Sequence, residues 1–390
     1  MFQHKLPWII GILVVVTEMS TDLFAPGLPS IASYFKSPES TVSLTIGCNL
    51  LGLAISGLIY GPLSDRSGRR PVMMVGFALF TLGSVLCIFA TTIYQLILFR
   101  FLQGLGGGVS IVVGLASIRD KYNGSDCARM VSLIEMIITL SPGLAPIIGS
   151  ALITRWDWQV MFVVLTFLAV LGMFVVVMFY KETNTSPRGE KLSFVNLYTT
   201  YGALFKNFHF LAFALIQSLC LSWMVSEYVV LPFVFINHYK IPISHYGFLV
   251  SLAFFAYFIG AIFSQLLVHR VGVSLMLRLG VFLNLLSAIA LMVAVKASQS
   301  PYVIVAILVV SNFTAAFITG NGLAKALEFV SQDAGSGAAL ITFFQFFFSA
   351  IFVYACSQYL NGTVLSLSIL MIMCNIISWV AMVVMERRTV

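Results

Sequence analysis

The sequence predicts an all-α membrane protein: twelve transmembrane helices in two pseudo-symmetric six-helix bundles. Three observations predict it. Of 390 residues, 60% are hydrophobic and 9% charged, where soluble proteins carry about 25% charged residues, so the solvent for most of this surface is lipid. Apolar runs of the roughly 20 residues needed to cross a bilayer recur twelve times along the chain. The second and third runs are repeated, without a gap, by the eighth and ninth.

The first run, 7–28, begins in HKLPWIIGILVVV and continues into Glu18 and Asp22 with no small-x-small cleavage site, so it reads as a retained span; Pro26 and Pro29 mark its end. Runs 42–62 and 72–92 flank the charged stretch GPLSDRSGRRP at 61–71. Runs 95–117, 128–152 and 159–180 complete an N-terminal bundle over 1–180. The longest polar stretch, 181–207, reads as a linker. Runs 208–236, 246–268, 274–296, 301–323, 338–360 and 363–385 form a C-terminal bundle over 208–390.

Setting residues 40–76 beside 244–280 places Arg66 on Arg270, Gly68 on Gly272 and Gly76 on Gly280. Parallel halves related by an axis along the membrane normal are a transporter architecture. Lys and Arg then fix the orientation. With both termini inside, the inner loops and tails outnumber the outer loops in basic residues by about four to one, the outer ones being Lys36, Arg155, Lys240 and Lys296. The net charge of +7 is thus a topological signal, and no nucleic-acid partner is expected. The six cysteines show no CxxC spacing and the five histidines no ligand spacing, so packing thiols and no metal site are expected. GLGGG at 104–108 lacks the following Lys-Ser/Thr and lies inside a span, which excludes a phosphate loop and leaves close helix packing. No nucleophile–base constellation is seen, so an enzyme is not expected.

In the stretch at 61–71, Gly61 and Gly68 would allow tight backbone geometry. Asp65 would accept from backbone N–H groups or pair with one of Arg66, Arg69 and Arg70, pinning two helix ends together. GPLSDRSGRRP resembles the loop 2–3 signature of the major facilitator superfamily, where that loop latches the two halves on the cytoplasmic side. LFRFLQGLGGG at 98–108 is similar to the family's R-x-x-Q-G motif, with Arg100, Gln103 and Gly104 in place. SPGLAPIIGS at 141–150 resembles the antiporter motif, keeping Pro142, Pro146 and Gly149 but holding Ala145 and Ser150 where the pattern has glycine. STDLFAPGLPSIASYF at 20–35 resembles the bicyclomycin/chloramphenicol-resistance branch of twelve-span drug/proton antiporters. The resemblance implies a monomeric proton-coupled exporter of small amphipathic compounds in a bacterial inner membrane. Protons would be its coupling ion and no other cofactor is implied. A proton-driven importer or a uniporter of a metabolite is the alternative.

Ionisable residues at membrane depth cost about 2.5–3.5 kcal/mol on insertion scales and mark function. Glu18 and Asp22 are four apart and share a helix face. Two carboxylates so close in a low dielectric resist joint ionisation, and a carboxyl able to load and unload a proton is what proton coupling needs. Arg100, always charged, needs a span-1 carboxylate or backbone carbonyls as partner; by the resemblance it is tied to proton transfer. Glu135 either faces the cavity or pairs with Arg129. Glu227 either binds cations in the cavity or sits near the outer interface. Asn49, Gln217 and Gln345 are candidates for the cavity wall or for interhelical ties.

Overall fold

A computed structural model describes residues 5–122, 124–184, 201–297, 300–330, 334–358 and 363–389. Among them twelve helices are long and apolar enough to cross a membrane. Spans 1 to 6 are Leu6–Phe35, Glu39–Ser67, Arg69–Ile88, Ile93–Lys121, Arg129–Ile153 and Gln159–Phe179. Spans 7 to 12 are Phe208–His238, Ile243–Val271, Val273–Lys296, Pro301–Glu328, Gly337–Gln358 and Val364–Met385. Residues 185–200 of the linker lie outside the described residues.

Span 1 is longer than its prolines predict. An α-helix Leu6–Asp22 passes through a 3₁₀ turn Ala25–Gly27 into a second helix Leu28–Phe35. Pro26 and Pro29 each stand in the first turn of a new segment, where a missing N–H costs nothing, so they bend the span without ending it. Span 7 changes character likewise: its α-helix ends at Pro232 and continues as a π-helix Phe233–His238.

The charged stretch is not an extended turn. Span 2 stays helical to Ser67 and span 3 starts at Arg69, so the reversal falls on Gly68 alone, at φ 93° and ψ 153°. Side chains avoid that region, and Gly272, its partner in the repeat, adopts φ 81° and ψ 155°. Gly61 corrects the expectation: it is helical, and a Cβ there would meet only Val112 at an ordinary 3.8 Å. The repeat also extends further than 40–76. The same register sets Lys36 on Lys240 and Pro38 on Pro242; both lysines are left-handed (φ 49° and 56°), and both prolines precede a helix.

Small residues let the spans approach where the solvent supplies no hydrophobic force between them. Gly104 of span 4 lies against the Asn49 carbonyl of span 2, and Gly106 lies against the Phe80 backbone of span 3. That is the use of GLGGG. In the C-terminal bundle buried amides tie the helices: Asn375 of span 12 donates to Asn284 Oδ1 of span 9 at 2.8 Å, and Asn284 donates to the Ser311 carbonyl of span 10 at 2.8 Å.

The bundles close on the face opposite the termini. Asn237 donates to Glu39 at 2.8 Å, and Gln358 donates to the Ser40 carbonyl at 3.3 Å. Deeper in, Gly47 packs on Val353, Gly143 on the Phe255 ring, and Gly247 on the Pro146 carbonyl. Spans 2 and 11, and 5 and 8, therefore form the seam beside spans 1 and 7.

Candidate functional site

Asp22 ends the first α-helix of span 1 and is 4% exposed. Ser141 of span 5 donates to its Oδ2 at 2.9 Å. The Tyr228 phenol of span 7 is within hydrogen-bonding reach of the same carboxylate, its ring stacked on Phe254 of span 8 at 4.8 Å. One carboxylate is thus held by both bundles. Ser141 immediately precedes Pro142, and Pro142 and Pro146 both lie inside a continuous helix, Gly124–Ile153. Gly149 lies directly against the Leu23 carbonyl, where any side chain would collide. The motif-bearing helix therefore packs backbone to backbone on the break in span 1 and delivers Ser141 to Asp22.

Glu18 is half-buried one turn earlier. Its neighbour Thr17 pairs with Ser110 of span 4 at 2.6 Å. Glu18, Asp22 and Glu227 all lie within electrostatic reach of the Tyr228 phenol. The structure thus gathers three of the sequence's candidate acids around one tyrosine that sequence reading did not single out. The signal available was its position next to Glu227 in a span rich in polar residues.

Arg100 is fully buried. Its guanidinium donates to the Ser20 carbonyl at 2.8 Å and to Gln103 Oε1, and lies 4.6 Å from the centre of the Phe24 ring. Of the two partners expected for it, the backbone carbonyl is the one present. Among the described residues no carboxylate stands at ion-pair distance from it. Gln103 in turn donates to Ser84 of span 3 at 2.8 Å. Arg100 reaches the turn that carries Asp22 twice, directly at the Ser20 carbonyl and through Asn49 at Thr21.

Glu227 is fully buried among the spans. Asn312 of span 10 donates to its two oxygens at 3.1 and 3.2 Å. Of the two readings of Asn49, the tie is the one seen: it accepts from Thr21 at 3.1 Å and donates to the Arg100 carbonyl at 3.0 Å, so its amide is spent among spans 1, 2 and 4. Gln217 is buried against Gly322 of span 10 with its side-chain oxygen unpartnered, and Gln345 is half-buried on span 11. The Glu135 side chain lies outside the described residues.

At the face that carries the termini, the charged stretch builds a plate inside the N-terminal bundle. Arg69 meets Asp65 at 2.5 Å, donates to both oxygens of Asp120 at 2.9 and 3.3 Å, and donates to Ser64 at 2.7 Å. Glu182 accepts from the backbone N–H groups of Arg69 and Arg70 at 2.8 and 3.0 Å. It thereby caps span 3 with a negative charge at its positive end. Arg70 donates to the Val177 carbonyl at 2.7 Å, while Arg66 is exposed. Asp120 and Glu182 were missed in the sequence. Asp120 stands in the last turn of span 4 and Glu182 just past the end of span 6, on the same face as the charged stretch, and that common face was the available clue.

Twelve spans in two bundles, with a buried carboxylate held across their seam, define a membrane transporter. The chain belongs to the Major Facilitator Superfamily, whose model matches residues 10–353. It is 27% identical over 342 residues to the MFS-type transporter YdgK of Bacillus subtilis, covering 86% of this chain and 84% of that one. It is 29% identical to the multidrug transporter MdfA of Yersinia pestis over 67% of this chain and 64% of MdfA. It is 34% identical to multidrug resistance protein D of Escherichia coli over 50% of this chain and 49% of that protein. In fold it is similar to the xylose transporter XylE of E. coli in a partially occluded inward-open conformation. The TM-score is 0.76 at 14% identity, covering 97% of this chain and 99% of XylE.

Proposed function

We propose that this transporter exports small amphipathic compounds in exchange for protons, with Asp22 as the principal proton carrier. The observation that carries the reading is the placement of Asp22: buried, without a cationic partner among the described residues, and held by Ser141 of one bundle and Tyr228 of the other. A group so placed changes its hydrogen bonds when the seam opens, so its proton affinity differs between conformations. That difference is all that coupling requires. The multidrug relatives MdfA and multidrug resistance protein D support the substrate class.

The basic residues put both termini in the cytoplasm, so the closed face is the outer one. In the cycle, the outer side opens, Asp22 or Glu18 takes a proton, and neutralisation weakens the site's hold on a cationic or polar substrate. The outer side then closes as in this structure. At the inner side the proton leaves and a new substrate binds. Arg100 holds the Ser20 carbonyl, two residues before Asp22, and so braces the end of the helix that carries the acid.

Inside-out vesicles carrying the protein and an acid-interior gradient test the direction. Adding a lipophilic cation such as ethidium discharges the gradient if the exchange is antiport. An unchanged gradient with proven transport means uniport, and accumulation driven the other way means import.

A further inference from the structure

Glu227 has no role in the cycle above, and its surroundings are unusual for a carboxylate. It is fully buried in a membrane span. Its hydrogen-bond donor is one neutral amide, Asn312, whose Nδ2 reaches both oxygens while also donating to the Leu308 carbonyl at 3.0 Å. The Asn312 oxygen is itself buried and unpartnered, a second acceptor facing no donor. The titratable groups around it are Tyr228 beside it and Tyr246 of span 8. Asp22 and Glu18 stand beyond Tyr228. The Cys356 thiol of span 11 lies near Ser226, the residue before Glu227. None of these is a base that stays cationic. An ionised carboxylate here would be a charge in low dielectric whose hydrogen-bond donor is a single neutral amide.

We propose that Glu227 is a second proton site, carried by the C-terminal bundle, and that it must be loaded before the outer side closes. Its position makes the link. Glu227 lies next to Tyr228, which meets Asp22 across the seam. Separating spans 1 and 7 removes that cover and admits water to this stretch of span 7. The open state then tolerates the charged acid; the closed state holds the neutral one. By linkage, a proton on Glu227 favours closure, and closure favours the proton. Each half of the molecule thus carries its own acid, Asp22 in span 1 and Glu227 in span 7, the first span of each bundle.

The test needs no transported compound, so its failure leaves the export reading standing. Site-specific labels at the exposed residues Ser33 and His238 report outer opening as a distance distribution over a pH series. One linked proton changes the closed-to-open ratio about tenfold per pH unit. Glu227→Gln is expected to favour closure throughout and to lose one such decade from the slope; an unchanged slope overturns the proposal. Infrared difference spectra of the closed form give a second reading. A protonated-carboxyl band present in the parent and missing in Glu227→Gln supports the site, and identical bands overturn it. Should Glu227→Gln not fold, Asn312→Ala keeps the acid and changes its partner. The band should then move while the slope stays, whereas a band that does not move overturns the assignment.

Discussion

The Ser141 hydroxyl, on the proline-bearing helix of span 5, donates to the Asp22 carboxylate of span 1 at 2.9 Å. Asp22 is reached from the other bundle by Tyr228, so a single acid is held by both halves. Ser141→Ala removes a hydrogen bond to a charged group, worth about 1.5–3 kcal/mol. Transport by the variant should keep its maximum rate but shift its pH profile, because the ionised form of Asp22 has lost a donor. A profile superimposable on the parent's would show that Ser141 does not hold the transported proton's site.

Tyr228→Phe keeps the stack on Phe254 and deletes the phenol. The loss of about 0.5–1.5 kcal/mol for one hydrogen bond should open the outer side about two- to tenfold more often. Accessibility of a reporter thiol introduced by Asn237→Cys, whose native amide bonds Glu39 across the same seam, measures it. Unchanged labelling would place the closing energy elsewhere.

The glycines give a paired prediction. Gly104→Ala drives a Cβ into the Asn49 carbonyl of the neighbouring span, whereas Gly61→Ala meets only Val112 at 3.8 Å. Overpacking of the first kind costs about 1–3 kcal/mol, so Gly104→Ala should lower thermal stability in detergent and Gly61→Ala should not. Gly68→Ala should also destabilise, through its φ of 93° and the Glu182 carboxylate 2.6 Å from the new Cβ. Gly272→Ala shares the backbone strain without the collision, and should cost less.

In the charged plate, Glu182→Ala leaves two N–H groups of span 3 without their acceptor. A loss of about 1–2 kcal/mol is expected from the cap. Arg66→Ala, at an exposed position, should stay within about 0.5 kcal/mol of the parent. Melting curves of the two purified variants decide this. Equal losses would mean that the plate is held by charge in general and not by these bonds.

Much of this was legible in the sequence because lipid imposes a simple rule: a span must be long and apolar. The gapless repeat set Gly68 on Gly272, and the two share a backbone conformation. Less legible was anything set by contact between distant spans. Span 1 running on to Phe35 depends on where each proline falls in a turn. Which of its two readings Asn49 takes depends on span 4 packing close enough, at Gly104, to offer the Arg100 carbonyl. Tyr228 looked like one aromatic among many until span 7 was placed against span 1. Asp120 and Glu182 carry no local pattern, since their partner Arg69 begins a different span.

The central claim is that Asp22 exchanges its proton with substrate. The most direct measurement is proton release on adding an amphipathic cation to purified, weakly buffered protein, for the parent and for Asp22→Asn. Release by the parent and its loss in the variant is the predicted result. Equal release from both would contradict it and move the exchanged proton to another acid.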